Sequence, residues 1–153
     1  MMDTKSSSIN IAFSQLAKRE DDLYHRYAVH CGLSDPAVWV LYALYADGDA
    51  IYTQNDLVSM WFYPKQTINY AVSCLVKQGL VSLSQLSGSR NSKAISLTDE
   101  GLHLCEEKIR PLILAEERSL SRLGEEAQQL LLKLTEQQCT YFEEEILKLT
   151  GGK

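Results

Sequence analysis

Apolar residues recur every three or four positions along most of this chain, a spacing that predicts a mainly helical protein. The first such segment runs from Ile11 to about Cys31 and ends at Gly32, a residue suited to a helix C-terminus. Its apolar positions are Phe13, Leu16, Leu23, Tyr24 and Tyr27. The charged interval "KREDD" falls on the outer side, so one long amphipathic helix is expected here.

Three further helices are predicted between residues 34 and 78, the last two short and joined by a tight turn. Ser34 is a good N-cap for the first of them. Thr53, with Asp56 three residues later, forms a short-armed version of the capping box for the second. Pro64 begins the third, where its missing N–H costs little. Two short helices joined by a few residues predict a helix-turn-helix.

Beyond Gly79 the apolar pattern alternates instead. Val81 and Leu83 in "LVSLSQL" lie on one side of a strand, as do Ile95 and Leu97 in "KAISL". The polar segment "SGSRNS" separates the two runs. Residues 80–97 therefore predict a β-hairpin with a flexible tip, which is a candidate wing beside the helix-turn-helix.

Two long helices are predicted after the hairpin. Thr98 caps the first, in which Pro111 should kink the axis, and Gly124 ends it. The second runs from Glu125 to about Leu149. The apolar stripe of the first comprises Leu102, Cys105, Ile109, Leu112 and Ile113, and that of the second Ala127, Leu130, Leu131, Leu134, Tyr141, Phe142 and Ile146.

The front of the helix that starts at Pro64 carries an unusual set of polar residues. Its buried face is predicted to consist of Ile68, Ala71, Val72 and Leu75. The exposed residues near its N-terminus are then Lys65, Gln66, Thr67, Asn69 and Tyr70. Amides, hydroxyls and a cation are the groups that recognise base edges and phosphates, and the front of the second helix of a helix-turn-helix enters the major groove. An ordinary solvated helix face is the alternative interpretation.

The distribution of charge favours a nucleic-acid partner more than the total does. The net charge of the 153 residues is -5. Residues 1–52 hold four basic and seven acidic groups (-3), residues 53–98 hold four and one (+3), and residues 99–153 hold seven and twelve (-5). The middle third alone is basic, so a basic face can exist on an acidic protein. Arg90 and Lys93 of the hairpin are its predicted phosphate or minor-groove contacts.

These motifs together resemble the MarR-type winged helix-turn-helix transcriptional regulators over about residues 10–149. The resemblance rests on "PKQTIN", "CLVKQGLV", the wing, "ISLTDEG" and two long C-terminal helices. Leu97, Thr98 and Gly101 of the "LT-x-x-G" motif are its most specific element, and Pro111 also has its counterpart. The resemblance implies a mainly α fold with a small β-hairpin wing, in a single domain over residues 1–153. Its winged-helix lobe would span about residues 34–98 and its helical dimerisation region about residues 10–32 and 99–149.

The resemblance also implies a function. The protein is expected to be a homodimer that binds a pseudo-palindromic operator in double-stranded DNA, more as a repressor than an activator, and that a small aromatic or anionic effector releases. Thr53, Gln54, Asn91 and Lys93 are expected to join Arg90 as wing and phosphate contacts. The wings of family members commonly carry the sequence Asp-x-Arg, whereas this chain has Ser89, Arg90 and Asn91 at the corresponding positions. A dimeric winged-helix interaction module without specific DNA binding is the alternative function.

An effector cleft between the dimer base and the lobe would be lined by His25, Trp39, Tyr42 and Trp61. Aromatic residues at helical spacing are more often part of a core, and that interpretation stays open. The four cysteines are widely spaced and expected to pack as small apolar residues. His30 and Cys31 point about 100° apart on a helix, so no metal is expected, nor any other cofactor.

No set of residues resembles a catalytic site, so an enzyme is not expected. No apolar stretch approaches the roughly 20 residues that span a bilayer, and Met1 to Asn10 lack the apolar segment of a signal peptide. A cytoplasmic protein with no membrane partner is therefore expected.

Overall fold

Seven α-helices and one β-hairpin are present in a computed structural model of the chain, which describes residues 4–88 and 91–152 and, for residues 4–7, the backbone alone. The elements, in chain order, are α1 Thr4–Cys31, α2 Asp35–Ala46, α3 Gln54–Trp61, α4 Lys65–Lys77, β1 Val81–Gln85, β2 Lys93–Leu97, α5 Asp99–Leu104, a π-helical turn Cys105–Ile109, α6 Arg110–Ser121 and α7 Glu125–Thr150. The prediction of a mainly helical fold with one hairpin is confirmed. The first helix starts at Thr4 instead of Ile11, because the polar segment before Ile11 continues the helix without an apolar stripe to announce it.

The chain divides into two compact units, residues 1–110 and residues 111–153. The core of the first unit is apolar and lies among α2, α3, α4, the hairpin and the π-helical turn. Its largest fully buried side chains are Leu41, Leu57, Ile68, Leu75, Ile109, Val40, Val72 and Cys105. Ile68, Ala71, Val72 and Leu75 form the buried face of α4 that the periodicity predicted. This core fixes the outward direction of the polar residues of α4.

Side chains cap the helices at the predicted residues. Ser34 Oγ accepts a hydrogen bond from the N–H of Ala37 at the start of α2. At α3, Thr53 Oγ1 accepts from the N–H of Asp56, while Asp56 accepts at 2.7 Å from both the N–H and the hydroxyl of Thr53. The capping box is therefore complete with aspartate in place of the longer glutamate.

We expect Asp56→Ala to destabilise the protein by about 1 kcal/mol at pH 7, because it removes half of the α3 capping box. Hydrogen bonds from the backbone N–H and then the hydroxyl of Thr53 lower the pKa of Asp56 below its ordinary value of 3.8. A lowered carboxyl pKa contributes stability above pH 3.8 that is lost as the pH falls through the folded-state pKa. The difference between variant and parent should shrink below pH 3.8 in urea titrations, whereas Asp49→Ala, in an exposed turn, should not reproduce this pattern.

The hairpin pairs antiparallel in the register Val81 with Leu97 and Leu83 with Ile95. Val81, Ala94 and Ile95 are buried, whereas Leu83 is 37% exposed on the predicted inner side of β1. The N–H of Ile95 also donates to the carbonyl of Tyr52 at 2.9 Å, so the segment before α3 is bridged to the hairpin. This bridge ties the start of α3 to the wing.

The helix that contains Pro111 changes its hydrogen bonding before that residue. Over the π-helical turn, the N–H of Arg110 donates to the carbonyl of Cys105, five residues back. Proline has no N–H, and a π-type turn is one way for a helix to adjust its hydrogen bonds nearby. Cys105 and Ile109 are fully buried and Leu112 is buried, as predicted, but Leu102 of the same predicted stripe is 47% exposed.

Two of the long helices expose most of their apolar side chains. None of the residues of α7 is buried, and its leucines 130, 131, 132 and 134 are 49% to 62% exposed. On α1, Ile9, Ile11, Phe13, Leu16 and Leu23 are 55% to 67% exposed. Contiguous apolar surface of this kind marks interaction surfaces in soluble proteins.

Candidate nucleic-acid interface

A concave groove of about 340 Å³ brings together the start of α3, the front of α4 and the hairpin. Six of the predicted DNA-contacting residues line it, together with three that were not predicted. The predicted residues are Thr53, Gln54, Lys65, Asn69, Asn91 and Lys93. The additional residues are Asn55, Leu83 and Ser92. We call this the polar groove, since amides, hydroxyls and lysines dominate its lining.

The three lining residues that were not predicted differ in the signal that the sequence gave for them. Asn55 follows the predicted Gln54 directly, so the pattern of polar residues at the start of α3 was a signal for it. Leu83 and Ser92 carried no such signal, because the strand pattern assigned Leu83 to the inner side of the hairpin. Only the folded hairpin brings them to the groove.

The front of α4 exposes three of the five polar residues that were predicted to be exposed. Lys65 and Gln66 are exposed and Tyr70 is 75% exposed, whereas Thr67 and Asn69 are half-buried. Pro64 occupies the N-cap position without a side-chain capping bond, and its carbonyl accepts from the N–H groups of Thr67 and Ile68. The N–H groups of a first helical turn carry partial positive charge and attract anions such as phosphate.

Asn69 has an unusual environment for a residue of an open groove. Its Oδ1 atom is buried and has no hydrogen-bond partner among the described residues. A buried acceptor left without a partner costs about 1 to 3 kcal/mol. The Asn69 side chain must therefore rotate before this oxygen can meet a base edge.

The tip of the hairpin is described only in part. Arg90 and its neighbour Ser89 lie outside the described residues, so the predicted wing contact of Arg90 stays a prediction from the sequence. Asn91 and Lys93, which follow them, are exposed and line the polar groove. Lys93 pairs with Gln85 at the end of the hairpin ladder.

Three of the four predicted effector-pocket residues come together in an aromatic cluster. The ring centroid of Trp39 lies 4.7 Å from that of Trp61 and 5.5 Å from that of Tyr42, and Tyr24 joins the cluster at 4.8 Å from Trp39. Trp61 Nε1 is buried without a hydrogen-bond partner among the described residues. His25 makes no ring contact here; its Nδ1 lies 2.9 Å from Asp35 Oδ1 instead.

A second concave site, the α1–α2 cleft, opens beside this cluster with a volume of about 310 Å³. Trp39 is the one predicted pocket residue that lines it. The full lining is Asp21, Tyr24, Asp35, Val38, Trp39 and Tyr63. Sequence reasoning missed Tyr63 because it lies in the turn before α4, and missed the two aspartates because exposed acids on helices are common.

The cysteines differ in their surroundings. Cys31 and Cys105 are buried, Cys74 is half-buried and Cys139 is exposed. Burial, and then the charge of Glu106, raises the pKa of Cys105 to about 12, which keeps its thiol protonated and unreactive. A hydrogen bond with Cys74 raises the pKa of Tyr70 on α4.

Two further features bear on the function. Within residues 4–88 and 91–152, no three histidine, cysteine or carboxylate side chains are grouped closely enough to hold a metal ion. None of the helices in that part of the chain is both long and apolar enough to cross a membrane.

Comparison with known proteins agrees with this geometry. Residues 32–88, which include α2, α3, α4 and the first strand, match the sequence model of the MarR family. The solved structure of NMB1585, a MarR family regulator from Neisseria meningitidis, superposes with a TM-score of 0.76 at 21% identity, covering 90% of this chain and 97% of that one. The chain has the fold of the MarR-type winged-helix proteins.

Other MarR-type structures resemble this one closely. A putative MarR family transcriptional regulator from Listeria monocytogenes, solved with 26mer DNA, gives a TM-score of 0.72 at 18% identity and covers 100% of this chain and 97% of that one. NadR, solved with 4-hydroxyphenylacetate, gives 0.70 at 23% identity and covers 90% and 96%. At such identities the similarity shows the MarR-type fold. No curated protein matches the chain in sequence.

Proposed function

We propose that the protein is a transcriptional regulator that binds a pseudo-palindromic operator in double-stranded DNA as a homodimer. The polar groove carries this proposal, because it joins the front of α4 to the start of α3 and to the hairpin on one surface. A helix N-terminus for the major groove and a neighbouring hairpin for the backbone or minor groove are the two contacts that a winged helix-turn-helix requires.

Each part of the polar groove has a role that its chemistry supports. Gln66 and Asn69 carry amides, which can form paired hydrogen bonds with the edge of adenine. Lys65 and Lys93 supply positive charge for phosphates, and Thr53 and Gln54 supply polar groups for the same backbone. Arg90 and Asn91 extend this set at the wing, with Arg90 assigned from the sequence alone.

Homodimer formation is supported by the apolar surfaces of α1 and α7. Their exposed leucine, isoleucine and phenylalanine side chains have no core of their own to enter. A second copy of the chain would cover them. The two-fold symmetry of such a dimer would relate its two polar grooves in the same way as the two halves of a pseudo-palindromic DNA site. We therefore assign residues 34–98 to a DNA-binding lobe and residues 10–32 and 99–149 to a dimerisation region of one functional domain.

The remaining parts of the proposal follow from this role. The protein acts in the cytoplasm, where it meets DNA, has no enzymatic activity, and represses transcription until a small molecule releases it. The structure of NadR with 4-hydroxyphenylacetate supports a ligand site in a fold of this kind. The α1–α2 cleft is a concave site with aromatic walls, which suits a small molecule that carries a ring.

The test is a selection of bound duplexes from a random DNA pool by the purified protein, followed by affinity measurements at several salt concentrations. We expect an inverted repeat with half-sites about one helical turn apart. Lys65 and Lys93 from each protomer give four cations, so the slope of log affinity against log salt should be about -4 or steeper. No enriched sequence and a flat salt response would favour the interaction module without specific DNA binding.

Replacing Gln66 or Asn69 by alanine should cost about 1 to 3 kcal/mol of discrimination at particular operator bases, because each amide is assigned to a base edge. Binding to the parent operator and to single-base variants is measured by fluorescence anisotropy. Gln78→Ala, at the exposed far end of α4, is the matched control and should leave discrimination unchanged. Equal weakening on every duplex would remove Gln66 and Asn69 from base reading.

A further inference from the structure

The α1–α2 cleft combines negative charge with aromatic walls. Two of its six lining residues are aspartates, three are aromatic and none is a lysine or an arginine. An anion placed there would meet like charge without a cation among the lining residues. A positively charged ligand would be attracted both by the carboxylates and by the faces of the rings.

The two carboxylates have different surroundings. Asp35 lies in the first turn of α2. Its Oδ1 and Oδ2 atoms lie 2.9 and 3.1 Å from His25 Nδ1. Asp21, on α1, makes no hydrogen bond or ion pair within the described residues, so its carboxylate oxygens are available to a ligand. Burial raises the pKa of Tyr63, and the charges of Asp35 and then Asp21 raise it further. Both carboxylates therefore act on the same part of the cleft.

The aromatic wall is held in place by its neighbours. Trp39 contacts Tyr24 on one side and Trp61 on another, at centroid distances of 4.8 and 4.7 Å. A ring supported in this way keeps its orientation when a ligand arrives, so little side-chain entropy is lost on binding. Tryptophan is the aromatic residue that attracts cations most strongly.

We propose that the α1–α2 cleft binds an organic cation that carries an aromatic ring, with its charge beside Asp21 and Asp35 and its ring against Trp39. A volume of about 310 Å³ suits a ligand with a single ring system. The proposal deepens the proposed function, on which it rests for the regulatory effect. It keeps the aromatic effector that the family resemblance implied and replaces the anionic one.

A link from this cleft to DNA binding is present in the chain itself. Tyr63 lines the cleft and lies two residues before Lys65, the first residue of α4. Phe62, directly before Tyr63, adopts a left-handed backbone with φ of 56° at the end of α3. A ligand that displaces Tyr63 would therefore move the front of α4 and change its fit to DNA.

The binding experiment compares three probes of similar size with the purified full-length protein. They are the benzyltrimethylammonium cation, its neutral isostere neopentylbenzene, and the anion phenylacetate. Trp39 and Trp61, the two tryptophans of the chain, report binding by fluorescence, and calorimetry checks the result. We expect the cation to bind about tenfold more tightly than the neutral isostere and phenylacetate to bind most weakly.

Substitutions then test the carboxylates. Asp21→Asn and Asp35→Asn should each weaken cation binding about threefold, and together about tenfold, without changing the affinity for neopentylbenzene. Asp22→Asn removes the same charge from the neighbouring position of α1, outside the cleft lining, and should have little effect. Asp21 is exposed, so its substitution leaves a folded protein even if Asp35→Asn does not.

Equal binding of cation and isostere, tighter binding of phenylacetate, no binding of the cation, or unchanged affinity in the aspartate variants would each overturn the cation site. Operator binding is measured on the same samples with and without benzyltrimethylammonium. Selective cation binding in a protein that selects no operator would sustain the site and contradict the proposed function. Operator binding by a protein that does not bind the cation selectively would support the proposed function and overturn the cation site.

Discussion

Replacing Gly101 by alanine is expected to destabilise the protein by about 3 kcal/mol or more. A Cβ atom at this position would lie 1.9 Å from the carbonyl oxygen of Leu80 and 2.9 Å from its carbonyl carbon. Both distances are far below contact, and the obstacle is backbone, which cannot rotate away as a side chain would.

Hydrogen bonds on every side hold this contact in place. The carbonyl of Leu80 accepts a hydrogen bond from the N–H of Thr98 at 3.1 Å. The N–H of Leu80 donates to the carbonyl of Leu75. The Thr98 hydroxyl donates to the carbonyl of Gly79 at 2.6 Å and accepts from the N–H of Gly101. The close approach of α5 to the junction between α4 and β1 thus explains the glycine of the "LT-x-x-G" motif.

Thermal and urea unfolding of Gly101→Ala measure the loss. Gly48→Ala is the control, because a Cβ there meets nothing within 4 Å and its φ does not lie in the left-handed region. That substitution should be neutral or slightly stabilising. A Gly101→Ala protein as stable as its parent would contradict the close packing of α5 on Leu80.

The second large effect is expected from charges on α7. The double substitution Leu134→Glu and Phe142→Glu should weaken dimerisation about a thousandfold. Full burial of a leucine or phenylalanine contributes about 1.5 to 3 kcal/mol, and roughly half of each side chain is left to bury on association. The four side chains of a dimer therefore contribute about 3 to 6 kcal/mol, and a thousandfold change corresponds to about 4 kcal/mol. Both side chains are more than half exposed in the single chain, so the loss should fall on association more than on the fold of one chain. Affinity for a two-half-site operator should fall with it.

Sedimentation equilibrium measures this change against the 17.3 kDa of one chain. Gln129→Glu is the control: it adds one negative charge on α7, about 140° around the helix from Leu134 and from Phe142. The control should remain dimeric. A doubly substituted protein that stays dimeric at micromolar concentration would assign the self-association surface to another part of the chain.

Local signals made the helices and the hairpin predictable. The buried face of α4 follows from the three- and four-residue spacing of Ile68, Ala71, Val72 and Leu75, and the starts of α2 and α3 follow from Ser34 and Thr53. These features depend on residues a few positions apart, which the sequence displays directly. The early start of α1 was missed because its polar first turns lack an apolar stripe.

The candidate sites were predictable only in part. The polar front of α4 was evident from its residues, but the half-buried state and unpartnered oxygen of Asn69 were not. The aromatic cluster was anticipated through Trp39, Tyr42 and Trp61, whereas His25 lies beside Asp35 and Tyr24 takes a place in the cluster. Side-chain surroundings of this kind depend on neighbours far away in the chain.

The sequence by itself determined the succession of helices, the caps, the hairpin and the basic middle third of the chain, because periodicity and capping act over a few residues. The tertiary structure alone decided which of these parts meet. It brought α3, α4 and Lys93 to one polar groove, set Asp21 and Asp35 beside Trp39, and brought Gly101 against Leu80. Such contacts join residues that are distant in the chain, and they form only when a common apolar core fixes the elements against one another.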